Sequence, residues 1–282
     1  MTSAWIRIEC AAGTVLDTAA ALVGDPGVLT VQHITGGADL VAFLACPDAT
    51  ALDRYLVERL HRLPGVRATR THVVTGVYGS AHPPPLNQLT PQQLRRVREL
   101  HPRAARSGRA APPSGPPDAL DQRLLLALGA DGRAGVAALA KQVGSSESTV
   151  RRRLTRMEAT GALLFRTEVA PHTSGRPVWC LVCAEVPPEQ VASAAASIAR
   201  LRETRTVTAV TGPHNLFISG RLGRVEQLPE YTQKLTHKAP GLRVADTVLA
   251  LRVHKVNAHV LGADGLREGF VPPDIWGISP AA

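Results

Sequence analysis

The centre of the chain contains a helix-sized segment that combines hydroxyl side chains with a dense run of arginines. The residues concerned are Ser146, Ser148, Thr149, Arg151, Arg152, Arg153 and Arg156. Guanidinium groups bind phosphate oxygens and guanine edges, and hydroxyl groups bind phosphates or bases. The chemistry that these side chains offer together is recognition of a polyanion, and duplex DNA fits it best.

Helical periodicity divides these side chains between faces. At about 3.6 residues per turn, Val150, Leu154 and Met157 form an apolar stripe, and Arg153 lies closest to it. Ser146 is predicted to cap the helix, and the first residues of a recognition helix reach base edges. We therefore assign base contacts to Ser148, Thr149 and Arg152, and phosphate contacts to Arg151 and Arg156. The alternative is the solvated cationic face of an ordinary helical bundle.

The elements around this helix complete a compact unit. Apolar spacing predicts one helix over residues 120–128 and a second over residues 136–143. Gly144-Ser145 makes a tight corner before the third helix, which Gly161 ends. Residues 162–169 alternate in hydropathy and predict a strand.

This segment resembles the helix-turn-helix of the leucine-responsive/asparagine-synthetase regulator (Lrp/AsnC) family. The matching residues are Leu120-Asp121, Asp131-Gly132-Arg133, Leu139-Ala140, Val143-Gly144, the run from Ser146 to Leu154, Met157-Glu158 and Gly161. Ser145 departs from the pattern, because the family usually has an apolar residue there. The resemblance implies a transcriptional regulator in which a connecting strand and a ferredoxin-like effector-binding domain follow the helix-turn-helix.

An internal repeat is the second informative feature. A shift of 176 residues aligns residues 31–77 with residues 207–253 without a gap. Identical pairs include Thr35/Thr211, Gly36/Gly212, Leu40/Leu216, Tyr55/Tyr231, His61/His237, Pro64/Pro240 and Gly65/Gly241. A long repeat that occurs twice indicates two copies of one domain. Both copies resemble the family's effector domain, with the signature Thr-Gly-x-x-Asp/Asn-Leu followed by Pro-Gly-Val/Leu.

Each copy is predicted to contain a strand, a helix, two strands, a helix and a strand. In the first copy these span about 4–10, 13–24, 28–35, 39–45, 49–62 and 66–77, and in the second about 178–185, 188–201, 205–211, 215–221, 225–238 and 242–254. Two crossovers around a hairpin are typical of the ferredoxin-like split βαβ. The predicted fold class is α+β, with two ferredoxin-like βαββαβ effector domains flanking a three-helix winged helix-turn-helix.

These elements predict five segments. They are effector copy one (1–80), a basic Pro-rich linker with a short helix (81–117), the helix-turn-helix with its connecting strand (118–170), effector copy two (171–257) and a tail (258–282). Thr90-Pro91 begins the linker helix in capping-box form. Phe270 and Trp276 are expected to dock the tail on the second effector copy. The order resembles family members with two helix-turn-helix/effector units, the first helix-turn-helix being absent.

The loop after the second strand of each copy is a candidate effector site. It carries Gly36 and Asp39 in copy one, and Gly212, His214 and Asn215 in copy two. Glycine lets backbone amides approach a small anion, and an acidic or amide side chain can accept from an ammonium group. The resemblance implies an amino acid or related small molecule as the ligand. The alternative is that these residues only form hairpin turns.

Composition limits the class of protein. The formal net charge is +9, and residues 81–117 hold six arginines against one glutamate. This excess would add salt-sensitive phosphate attraction. No apolar run suits a membrane span or a secretory signal, so a cytoplasmic location is expected. Cys180 and Cys183 lie in an apolar strand pattern whose alternation aims them at opposite faces, so we predict buried thiols and no metal or cofactor.

The predicted function is sequence-specific transcriptional regulation, and not catalysis. The expected partners are double-stranded DNA, a small-molecule effector and further copies of the chain, as a homodimer or higher homo-oligomer, with the two effector copies pairing within one chain. One alternative is a tetrapyrrole enzyme similar to siroheme decarboxylases, but the ten histidines are scattered. In the connecting segment, only His172 near Arg176 offers a histidine beside an arginine. The other alternative is an effector-sensing partner of a paralogue that does not bind DNA.

Overall fold

The structure, a computed structural model, describes residues 1–79, 91–100, 117–165 and 169–276. The chain forms two compact units, one made of residues 1–80 and 169–282 and the other of residues 81–168. The predicted capping residue Thr90 and most of the two Pro-rich stretches lie outside the described residues. Within the described part of the chain, no helix is long and apolar enough to cross a membrane.

The first repeat forms six elements in the predicted order. They are β1 (Thr2–Cys10), α1 (Val15–Gly24), β2 (Val28–Ile34), β3 (Leu40–Cys46), α2 (Ala49–Arg54) and β4 (Val66–Tyr78). The second helix continues as a π-helical turn, Tyr55–Arg59, and a 3₁₀ turn, Leu60–Arg62. In β1 every second residue is buried, including Ala4, Ile6 and Ile8, because alternate side chains of a strand face the same side.

The smaller unit is helical. It contains α3 (Pro91–Leu100), α4 (Ala119–Ala130), α5 (Val136–Val143) and α6 (Glu147–Ala159). The helix expected to end near Leu100 is therefore present. The connecting strand predicted over residues 162–169 is wrong for residues 162–165, which form bends and coil, and residues 166–168 lie outside the described part. Alternating hydropathy alone could not specify a strand there, because a strand also needs a partner for its backbone groups.

The second repeat has the same element order as the first. It contains β5 (Val178–Glu185), α7 (Val191–Ile198), β6 (Thr204–Val210), β7 (Leu216–Leu222), α8 (Leu228–Lys238) and β8 (Arg243–Val256). The strands lie within one or two residues of their predicted bounds. Short 3₁₀ turns precede both helices, at Pro188–Gln190 and Val225–Gln227.

The two repeats join through their edge strands into one closed sheet. The strand order is β2-β3-β1-β4 in the first repeat and β6-β7-β5-β8 in the second. Antiparallel pairing of β4 with β6 and of β2 with β8 closes the ring of eight strands. The predicted pairing of the two copies within one chain is confirmed. Closure uses both edges of each repeat, which removes the unpaired strand edges that promote association.

Apolar clusters form inside the ring and in both of its outer layers. Val41, Leu181, Phe217 and Val248 are among the buried residues of the interior. The helices of each repeat cover the outside and bury a separate core. Cys180 belongs to the outer core of the second repeat, whereas Cys183 belongs to the interior, so the predicted opposite orientation of these buried thiols is confirmed. Burial raises the pKa of both to about 12.

The tail forms a hairpin and then reaches the first repeat. Strands β9 (His259–Leu261) and β10 (Arg267–Phe270) extend the sheet beyond β8. The docking of Trp276 on the second repeat was wrong, because Trp276 lines a cavity of the first repeat and the Asp274 amide donates to the Pro26 carbonyl at 3.3 Å. The Phe270 ring packs on His259 of the hairpin. The tail reaches the first repeat because β8 leaves its own sheet and pairs with β2, so the chain emerges beside the first repeat.

Candidate DNA-binding helix and effector loops

Local side-chain and backbone features define the start of α4, the end of α5 and the start of α6. Asp118 accepts the amide hydrogens of Leu120 and Asp121 and so caps α4. Gly144 ends α5 in the left-handed region, at φ +66°, which glycine adopts at little cost. Ser146 then accepts the Thr149 amide at 3.2 Å and caps α6, as predicted from the sequence.

An apolar centre holds the three helices together. Leu124 and Leu128 of α4, Leu139 and Val143 of α5, and Val150 of α6 are all buried in one cluster. Ser145 is half-buried at the corner. Because the apolar stripe of α6 faces this cluster, its polar residues are presented outward.

The polar start of α6 forms a small hydroxyl cluster. The Ser146 hydroxyl lies 3.1 Å from the Ser148 hydroxyl and donates to the Thr149 hydroxyl at 3.0 Å. Ser148 is exposed and Thr149 is half-buried. The cap therefore fixes two of the three side chains that the sequence assigned to base contacts, Ser148 and Thr149.

The arginine run divides into two pairs with different surroundings. Arg151 and Arg152 are exposed, and neither side chain makes an ion pair within the described residues. Arg153 forms ion pairs with Asp118 and Asp121, and Arg156 also pairs with Asp121. The first pair is available to phosphates or bases, whereas the second pair binds α6 to the start of α4.

Asp121 is the centre of this second arrangement. Only 4% of its side chain is exposed, while the Arg156 side chain is 54% exposed. A carboxylate buried without a counter-ion would be costly, and the two arginines supply the opposite charge. At the adjacent cap, the Asp121 amide and then Arg153 lower the pKa of Asp118. Arg156, assigned to phosphate from the sequence, thus also has a structural contact.

The effector loops lock each repeat onto the other. The Thr35 amide donates to the Leu249 carbonyl at 2.9 Å, and the Thr35 hydroxyl accepts the Leu249 amide at 2.9 Å. The same pair of bonds joins Thr211 to Val73, which is 176 residues before Leu249. The two loops therefore obey a local twofold relation within one chain.

The predicted glycines follow each of these threonines. Gly36 and Gly212 have φ values of +94° and +110°, a region that other residues rarely adopt. A Cβ atom on Gly36 would lie 3.1 Å from the Val248 side chain, and one on Gly212 would lie 2.8 Å from Nδ1 of His72. Both glycines are thus required by the turn and by the close approach of the other repeat.

Asp39 and Asn215 bind the backbone of their own repeats. Oδ2 of Asp39 accepts the Cys10 amide at 2.7 Å. Asn215 accepts the Val186 amide at 3.0 Å and donates to the Val186 carbonyl at 2.7 Å. These bonds tie each loop to the end of the first strand of its repeat. These contacts favour the alternative in which Asp39 and Asn215 form the turns.

The two loops differ in the polarity of their surroundings. His72, which faces Gly212, lies 3.0 Å from the Thr211 carbonyl, and burial lowers its pKa. His214 contacts Glu185 at 3.3 Å, and Arg243 also binds that carboxylate and lowers its pKa. The counterparts of the two histidines at the first loop are Val248 and Ala38, both apolar. The second loop is therefore the polar one.

Three residues of these loops were missed as site residues. Thr35 and Thr211 were used only as evidence for the repeat. The presence of threonine at both equivalent positions was a signal that could have identified them as site residues. His72 gave no local signal, because it lies 139 residues from Thr211 in the sequence and meets it only when β4 pairs with β6.

A three-helix DNA-binding unit joined to a pair of α+β repeats defines a helix-turn-helix regulator with effector domains. The AsnC-type helix-turn-helix domain model matches residues 118–158. The Lrp/AsnC ligand-binding domain model matches residues 3–81. In these two segments the chain is similar to transcriptional regulators of the Lrp/AsnC family.

The relatives agree with this assignment. An HTH-type transcriptional regulator of Pyrococcus furiosus is 29% identical over 139 residues, which cover 49% of this chain and 94% of the relative. The HTH-type transcriptional regulator LrpA of Mycobacterium tuberculosis is 25% identical over 145 residues, 51% of this chain and 96% of the relative. These relatives match about half of the chain.

One solved structure is similar over more of the chain. This is the siroheme decarboxylase NirDL, solved with an iron-uroporphyrin III analogue. The two structures superpose with a TM-score of 0.56 over 90% of this chain and 72% of the NirDL chain. Its sequence identity is 16%. The likeness shows that the two proteins share a fold.

Proposed function

We propose that the protein is a cytoplasmic regulator that reads one DNA half-site per chain through α6. Ser148, Thr149 and Arg152 contact bases, and Arg151 and Arg156 contact phosphates, with Ser146 fixing the start of the helix. The observation that carries the proposal is the division of the arginines: Arg151 and Arg152 are exposed without an ion pair within the described residues. Exposed guanidinium groups beside a capped helix start suit the major groove and its phosphates.

The division of labour along the chain is part of this proposal. Residues 118–170 bind DNA, and residues 1–80 and 171–257 are two effector domains that flank them. Residues 81–117 link the first effector domain to the helix-turn-helix, and residues 258–282 are the tail. Because one chain carries one recognition helix, an operator with two half-sites takes two chains.

Binding to genomic DNA tests the proposal. The full chain is mixed with sheared DNA of its source genome, retained fragments are sequenced, and affinity for the enriched site is measured across salt concentrations. A shared sequence motif and a steep fall of affinity with salt are expected. The double variant Arg151→Ala/Arg152→Ala is the matched control, and the DNA fragments that it retains should share no sequence motif. Retention without any enriched sequence would contradict the proposal.

We further propose that the second loop, rather than the first, contacts a small effector such as an amino acid. Gly212 and His214 with the neighbouring Glu185 offer polar groups. At the first loop, Gly36 faces apolar Val248, and the Asp39 carboxylate already accepts the Cys10 amide. Asn215 supports this loop through Val186. The ligand changes DNA affinity only as far as it prefers one conformation of the regulator. A thermal-shift screen of amino acids tests this, and a single stabilising compound is the expected result.

The second candidate function is a tetrapyrrole enzyme, since the fold of siroheme decarboxylase NirDL extends over 90% of this chain. The likeness concerns the fold, and the sequence motifs favour the regulator. Absorption spectra separate the two. Titration of the purified chain with an iron porphyrin should give no saturable shift of the Soret band, while a shift that saturates at one porphyrin per chain would favour the enzyme.

A further inference from the structure

A cavity of about 490 Å³ lies in the larger unit, away from the effector loops. Its walls come from the turn before β2, the end of β3, the start of α2 and the tail. Leu44, Pro47, Arg54, Tyr55 and Trp276 are among its lining residues. The volume falls within the range of small-molecule sites, about 300–1,000 Å³.

The second repeat lacks the features that open this space. At the positions of Gly27 and Arg54, which line the cavity, it has Glu203 and Glu230, 176 residues later. Both glutamates bind Lys234, at 2.9 Å and 2.8 Å, so their side chains occupy the corresponding region. Gly27 has no side chain to extend into that region, and Leu44 packs beside it, 3.0 Å from the position of a Cβ atom. Arg54 has no ion-pair partner among the described residues. A cavity with this lining therefore belongs to the first repeat, and the second repeat has different side chains at the corresponding positions.

The wall beside the cavity is held firmly. The Tyr55 hydroxyl donates to Oδ2 of Asp25 at 2.8 Å, and Arg59 forms an ion pair with the same carboxylate at 2.9 Å. Tyr55 and Arg59 begin and end the π-helical turn, a departure from the α-helix that is frequent at functional sites. The corresponding part of the second repeat, in α8, is a regular α-helix.

The charges of the lining decide what fits. Arg54 is exposed and makes no ion pair within the described residues. Asp48 is already engaged, since its Oδ1 caps α2 through the Ala51 amide at 2.8 Å. Leu44, Pro47 and Trp276 supply apolar and aromatic surface. A single guanidinium beside apolar surface suits one carboxylate on a hydrocarbon body.

We propose that this cavity binds a small apolar monocarboxylic acid. The carboxylate pairs with Arg54, and the hydrocarbon part packs on Leu44, Pro47 and Trp276. Asp48 also lines the cavity and opposes a second negative charge, so dicarboxylates and phosphates should bind more weakly than a monocarboxylate. Trp276 and Asp274 come from the tail, so bound ligand holds the tail against the first repeat.

Calorimetric titration of the full chain tests the proposal. Phenylacetate and 4-methylpentanoate are the probes, phenylacetamide is the neutral control and succinate is the dianionic control. We expect each monoacid to bind at one site and both controls to bind at least tenfold more weakly, since each loses or opposes the charge-assisted contact. Absence of saturable binding by both monoacids, or equal binding of phenylacetamide, would overturn the proposal.

Two variants and one control variant locate the site. Arg54→Gln removes an exposed charge and should weaken phenylacetate binding at least tenfold. Arg62→Gln, another exposed arginine at the end of the same helical segment and not in the cavity lining, should leave binding unchanged. Gly27→Glu installs the residue of the second repeat and should abolish binding, with circular dichroism confirming the fold. Wild-type affinity in Arg54→Gln would refute the assignment even if Gly27→Glu failed to fold.

Discussion

The ammonium group of Lys255 donates to the carbonyl oxygen of Asp25 at 3.0 Å, although the two residues belong to different repeats. It also donates to the Val23 carbonyl at 2.9 Å, so a side chain of β8 binds the end of α1. A cation near a helix C-terminus is favourable. Lys255 is nevertheless fully buried, and this desolvation lowers its pKa to about 8.

The first prediction concerns the pH dependence of stability. Between about pH 8 and the ordinary lysine pKa near 10.4, the unfolded chain keeps the Lys255 proton while the folded chain loses it. The free energy of unfolding should therefore rise with pH across this range, by up to about 3 kcal/mol from this group. Denaturant unfolding at pH 7 and pH 10.5 measures it.

Lys255→Met is the matched variant, because methionine has a side chain of similar length and carries no titratable ammonium group. Buried thiols with raised pKa values lower stability above pH 9 in both proteins, so only the difference between wild type and variant is informative. A difference that stays constant from pH 7 to pH 10.5 would show that Lys255 does not titrate in this range.

The second prediction separates folding from DNA binding within the arginine run. Arg153→Ala removes a partner of buried Asp121 and should lower the stability of the helical unit by about 1–3 kcal/mol. Arg151→Ala removes an exposed side chain and should leave stability unchanged. Thermal unfolding followed at 222 nm measures both. Equal melting temperatures for the two variants would argue against the Asp121 contacts.

The third prediction concerns base and phosphate contacts in α6. Arg152→Ala should weaken binding to the preferred site by about 1–3 kcal/mol and leave binding to random duplex nearly unchanged. Arg151→Ala should weaken both about equally and reduce the salt dependence by about one ion. Fluorescence anisotropy with specific and random duplexes distinguishes these outcomes. Identical profiles for the two variants would mean that Arg152 does not read bases.

Periodicity predicted the helices of the DNA-binding unit and the strands of both repeats. It also set Arg153 apart from its neighbours, since a position on a helix face follows from 3.6 residues per turn. It could not predict that Arg156 pairs with Asp121, because the two residues lie 35 positions apart and meet only through the packing of α6 on α4. The local sequence pattern specifies which face of a helix a residue occupies, whereas its ion-pair partner depends on the tertiary structure.

The same limit applies to the tail and to the effector loops. Phe270 and Trp276 are large apolar residues, which indicates that the tail packs on the protein. Their types do not specify which repeat they pack on. The destination depended on β8 crossing to β2, which no segment of the sequence reports by itself. Gly36 and Gly212 were predictable as turn residues. Their contacts with Val248 and His72 follow from the ring closure.

The fourth prediction concerns the effector response. His214→Ala should abolish the thermal shift caused by the stabilising amino acid and leave DNA binding without effector unchanged. Alanine suits this turn, because Ala38 occupies the corresponding position of the first loop. Gly212→Val is a poorer test, since its Cβ would meet His72 at 2.8 Å and disturb the contact between repeats. A full response in His214→Ala would assign the ligand to another surface.

The last prediction concerns assembly. Strands β2 and β4 are paired with β8 and β6 of the same chain, so a second chain cannot add to those edges. Chains should therefore associate through other surfaces, and two should meet on an operator that has two half-sites. Sedimentation velocity should show one chain on a single half-site duplex and two chains on the full operator. Affinity for the full operator should fall when five base pairs are inserted between half-sites, because half a helical turn rotates them to opposite faces. A single chain bound to the full operator, with no effect of the insertion, would contradict the two-chain complex.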